Sequence, residues 1–101
     1  MRDTLYHNLG TKLTVDDVYS SIAGLGWVKD DNTTNEVYLF RNDSYHLKVV
    51  PRKTRIELHL HKDVVFLEHH KTIVKGSDIR EEFKKVKLVL EDMLKNKEFA
   101  N

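Results

Sequence analysis

Hydrophobic and polar positions divide this chain into segments of different period. Residues 1–13 carry no strong period and read as an N-terminal arm. From Thr14 the spacing turns helical, with Val15, Val18, Tyr19 and Ile22 falling on one stripe. Thr14 followed three residues later by Asp17 has the form of a capping box, and Gly26 is a natural stop. Trp27 follows at once and is expected to pack back onto the helix. After a polar stretch, Val37-Tyr38-Leu39-Phe40 and Tyr45 to Val50 read as two strands of a hairpin, joined by a loop of about four residues. Pro51-Arg52-Lys53 makes the next turn. Thr54 to His61 is the third strand, with Ile56, Leu58 and Leu60 alternating against Glu57, His59 and His61.

Residues 62–76 fit three readings: a bulged continuation, a short fourth strand, or an ordered loop. Ser77 then opens a long helix, with Asp78, Glu81 and Glu82 near its start and Lys95 and Lys97 near its end, as the helix dipole favours. Ile79, Phe83, Val86, Leu90, Met93 and Leu94 form its apolar stripe. The pattern predicts a two-layer α+β domain over residues 14–97: a helix, an antiparallel sheet of three or four strands, and a long C-terminal helix on the same sheet face. Trp27, Leu47, Leu58, Phe83 and Leu90 are its predicted core, and 98–101 is a tail.

Composition narrows the function classes. At 101 residues the chain has room for one modest core. Cysteine is absent, which excludes disulfides, thiolate metal sites and a cysteine nucleophile. No apolar run approaches the ~18 residues of a membrane span, and the first residues lack a hydrophobic signal region, so a cytoplasmic setting is expected. Net charge is +1, yet the signs are segregated. Residues 15–36 set Asp16, Asp17, Asp30, Asp31 and Glu36 against Lys29, a net of −4. Residues 41–62 set Arg41, Lys48, Arg52, Lys53, Arg55 and Lys62 against Asp43 and Glu57, a net of +4. That local excess suits a phosphate backbone.

The order helix, antiparallel strands, helix, with Leu25-Gly26-Trp27 closing the first helix and Val50-Pro51 ending the second strand, resembles the double-stranded-RNA-binding-domain fold. It also resembles the HicA-type toxin ribonucleases that share that fold. The resemblance covers residues 14–94 and implies an αβββα architecture. The toxins carry a catalytic histidine at the start of the first strand, where this chain reads Thr34-Asn35-Glu36-Val37. The RNA binders open their second helix with lysines, where this chain has Asp78, Glu81 and Glu82. The resemblance therefore carries a fold expectation and no functional residue.

Two groups of residues are candidates for chemistry. The first comprises His59, His61, Asp63, His69 and His70. Alternate strand residues share a face, so His59 and His61 are placed to act together, and three such ligands would hold zinc or a similar ion with room for water. The competing view is a solvated strand face that binds nothing. The second comprises Lys48, Arg52, Lys53 and Arg55, joined by Tyr38 and Phe40 if those aromatics lie on the open sheet face. Cations there would hold phosphates while bases stack on the rings. Three functions compete: a non-enzymatic nucleic-acid-binding module, a metal-dependent phosphoester hydrolase, and a homodimeric interaction module.

Overall fold

The computed structural model describes residues 1–62 and 78–100. Five strands, β1 (Arg2–Tyr6), β2 (Val28–Lys29), β3 (Tyr38–Asn42), β4 (Tyr45–Pro51) and β5 (Arg55–Lys62), form one antiparallel sheet in the order β1-β5-β4-β3-β2. Two helices, α1 (Val15–Ile22) and α2 (Ile79–Phe99), pack with its inner face into a single core. The α+β class is as expected, but the sheet gains a strand at each edge. The expected region 62–76 and the Ser77 cap lie largely or wholly outside the described residues.

The extra strand β1 comes from the segment read as an arm. Its alternation is only five residues long, with Leu5 inward against Ile56 and Arg2, Thr4 and Tyr6 outward. Pairing with β5 supplies what the period lacks. The ladder continues past both ends, through Leu60 N–H to the Met1 carbonyl and His7 N–H to the Thr54 carbonyl, each at 2.9 Å. By alternation the Thr4 N–H points away from β5, to the side where no described strand lies. There it donates to the Asp3 carboxylate at 2.8 Å, whose other oxygen pairs with Lys87 of α2.

Helix α1 starts as the sequence predicts. Thr14 Oγ1 accepts from Asp17 N–H and Asp17 Oδ2 accepts from Thr14 N–H, both at 3.2 Å. A short 3-10 turn, Ala23–Leu25, follows and ends at Gly26, whose φ of 96° a side chain would resist. Asn42 closes this corner by donating to the Leu25 carbonyl at 3.1 Å. Helix α2 is capped by Asp78, which accepts from Arg80 N–H. Its stripe buries Phe83, Val86, Leu90 and Leu94, and Lys97 near its end bonds Asp17 of α1 at 2.8 Å.

The hairpin is tighter than the predicted four-residue loop. Asn42 still pairs with Tyr45, leaving only Asp43 and Ser44 in the turn, with Asp43 left-handed at φ 52°. Asp tolerates that conformation better than most residues. All five predicted core residues are buried, Trp27 at 2% exposure among them.

Candidate nucleic-acid interface

The sheet's second face is covered by no described helix, and the pairing register assigns its residues. Val50 on β4 lies opposite Glu57, which lies opposite Thr4 on β1. In the next row Leu39, Lys48, His59 and Arg2 run across β3, β4, β5 and β1. Beyond it Val28, Arg41, His46 and His61 run across β2, β3, β4 and β5. Tyr6 and Arg55 form the row on the other side of Glu57. Neighbouring strands stand ~4.8 Å apart and rows ~6.8 Å apart, so the cations form a broad field with no single focus.

Tyr38 and Phe40 do not belong to this face. They are 4% and 1% exposed and point into the core. Register is the reason: Tyr38 lies opposite Val49 and Phe40 opposite Leu47, both inner-face residues. Tyr38 Oη donates to the Leu13 carbonyl at 2.6 Å, which satisfies the buried phenol. The Phe40 ring lies 6.0 Å from that of Tyr19. The exposed aromatic is instead Tyr6 on the edge strand, at 76% exposure.

Lys48 is exposed on the open face, and Arg55 stands at the start of β5. Arg52 and Lys53 are exposed at the turn joining β4 to β5, closed by Arg52 N–H to the Arg55 carbonyl at 2.8 Å. The Glu57 carboxylate lies between two arginines, with Arg52 Nε at 3.4 Å and Arg55 Nε at 3.8 Å. Asp30, at the β2–β3 margin, pairs with Arg41 Nε at 2.5 Å. The Asn32 N–H, and after it Arg41, hold its carboxyl below the usual range. Glu57 and Asp30 are therefore each paired with arginine, while Arg2 and Lys48 add cations in the row between them.

The histidines cluster as the strand period predicts. The rings of His46 and His61 stack at 5.1 Å between centroids, tilted by 16°, and His59 lies 5.7 Å from His61. Burial lowers the His59 pKa, and Arg2, the amino terminus, His61 and Lys48 lower it further, a sign that the local field is positive. Asp63, His69 and His70 lie outside the described residues. Among the described residues no group of three His, Cys, Asp or Glu side chains is arranged to hold a metal ion.

Arg2, Tyr6 and Arg41 were absent from the sequence candidates. Arg2 and Tyr6 lie in Arg2-Asp3-Thr4-Leu5-Tyr6, which shows no alternation until it pairs with β5. Arg41 continues the parity of Leu39. Two shallow depressions mark the face. One, of about 620 Å³, is lined by Arg2, Thr4, Tyr6, Lys48, Glu57 and His59, among others. The other, of about 350 Å³, lies among Arg41, His46, Lys48, His59 and His61. Among the described residues no helix is long and apolar enough to cross a membrane. Comparison of the chain with protein-family models, with curated proteins and with solved structures gives no match.

Proposed function

We propose that this protein is a non-enzymatic, cytoplasmic nucleic-acid-binding module, and that it takes a single strand on the open face of its sheet. The observation that carries this reading is the row Arg2–His59–Lys48, with Arg41 in the next row on one side and Arg55 beyond the Glu57 row on the other. A solvated strand face usually mixes both signs. This one matches its carboxylates with arginines and keeps further cations beside them. An open sheet face suits a flexible strand, whose phosphates can settle among dispersed cations. Association of two copies through the same face would bring Arg2 and Lys48 against like charges, which opposes it.

The test is fluorescence anisotropy with a labelled single-stranded RNA, read across salt from about 50 to 200 mM. Affinity should fall as salt rises, by about 0.7 log units per log unit of salt for each phosphate neutralised. The triple variant Arg2→Glu, Lys48→Glu, Arg55→Glu should bind every sequence more weakly and lose about two units of that slope. A wild-type protein that leaves the probe free at the lowest salt would end the reading.

A further inference from the structure

The depression beside β1 has more definition than a charged plane, and resting on the nucleic-acid reading we infer that it is a subsite for one guanine base. Three kinds of group meet there in a fixed order. Tyr6 stands at one end, a residue 76% exposed. Glu57 stands in the middle, directly across from Thr4 on one side and Val50 on the other. Arg2 and Lys48 stand at the far end, one row beyond Glu57.

Ring and carboxylate are spaced to meet one base. Side chains diagonal across paired strands, as Tyr6 and Glu57 are, lie ~7–8 Å apart. A base stacked on the Tyr6 ring therefore brings its edge to the Glu57 carboxylate. The sugar and phosphate leave the base on the side opposite that edge, towards Arg55 in the row of Tyr6, and Arg2 and Lys48, one row (~6.8 Å) beyond Glu57, are left for phosphates of neighbouring nucleotides. Thr4 and Val50 give the floor between them a small, partly apolar surface.

Glu57 sets the base preference. A carboxylate only accepts hydrogen bonds. Guanine offers N1–H and the N2 amino group side by side, so both carboxylate oxygens find a donor. Uracil offers one N–H between two carbonyl oxygens, which a carboxylate repels. The flanking arginines hold this acceptor in place: Arg52 Nε lies 3.4 Å from Oε2 and Arg55 Nε 3.8 Å from Oε1.

Anisotropy competition with two RNA probes tests the subsite: an oligouridylate, and the same oligomer with one central guanine. The wild-type protein should prefer the guanine probe by roughly ten-fold, the low end of discrimination by a good paired contact. Glu57→Gln should raise affinity for both probes, because a negative charge is gone, and collapse the ratio towards one. Tyr6→Ala should weaken the guanine probe more than the uridine probe, and Tyr6→Phe should restore it. Thermal melting of each variant checks that it folds. Equal binding of the two probes by the wild type, or a ratio unmoved by Glu57→Gln, would overturn the subsite and leave the nucleic-acid reading in place. Failure of both probes to bind would overturn both.

Discussion

The same strands build both faces of the sheet, and alternate residues make the two faces behave as different materials. The inner face presents Leu47, Val49, Ile56, Leu58 and Leu60, all at 2% exposure or less, to a core closed by α1 and α2. The outer face presents Lys48, His59, His61 and Glu57 to solvent, one residue away along the same backbone. Stability resides on the first face, and chemistry is left to the second. A one-residue slip of register would exchange them, so burial of the inner face fixes the placement of every cation on the outer one.

The sharpest test of that division compares Leu58 with His59. Leu58→Ala, or Phe83→Ala in the facing helix, should cost about 2–5 kcal/mol in urea or thermal unfolding. His59→Ala should stay within about 0.5 kcal/mol, because surface substitutions away from special features rarely exceed that. Equal losses at both positions would break the contrast.

Within the outer face, the turn and the sheet can be separated. Arg2→Glu with Lys48→Glu should weaken single-strand binding more than Arg52→Glu with Lys53→Glu, since the second pair lies on the rim. The same anisotropy titration reads both. If the rim pair matters more, the basic turn holds the ligand and the open face is peripheral.

On the inner side, Thr14→Ala should cost about 1 kcal/mol by removing a helix cap, with binding unchanged. Asp17, the other half of that box, has a lowered pKa. Burial raises it, but the bonds to Lys97 and Thr14 together outweigh that. Because the folded value is depressed, its stabilisation is complete above the unfolded value and is lost as pH falls through the folded one. Asp17→Asn should flatten that part of the acid unfolding curve.

The smallest expected effect belongs to His59. Its folded pKa lies below the ordinary imidazole value of 6.5, through burial first and the surrounding cations second. The unfolded chain therefore takes up the proton more readily. Stability should slip as pH drops through the ordinary value and level off below the folded one. His59→Gln should erase that slope. Histidine NMR shifts check the direction, and Lys48→Gln should move the His59 titration upwards.

Long periods were legible in the sequence and short ones were not. The stripe of Phe83, Val86, Leu90 and Leu94 and the alternation of Ile56, Leu58 and Leu60 each repeat often enough to exclude another period. Strand β1 offers a single buried residue, Leu5, between exposed neighbours, and only its partner β5 makes it a strand. Tyr38 and Phe40 illustrate the other limit. Their alternation with Leu39 and Arg41 was visible, but all but Arg41 are apolar or aromatic enough to lie inside, so parity waited on the pairing with Leu47 and Val49. The basic outer face was half legible: Lys48 and Arg55 sit on strands with clear alternation, whereas Arg2 comes from the segment that had none.

The Asp3 carboxylate at the rim of β1 has a consequence for how molecules of this protein meet one another. An unpaired strand rim is a template on which another chain can lay down a further strand, the first step of sheet growth between molecules. Asp3 occupies the Thr4 N–H that such a newcomer would need, and its tie to Lys87 keeps it there. The carboxylate also confronts any approaching strand with a charge it would have to bury. Asp3 thus takes up the edge donor beside it and sets a charge in the path of any further strand.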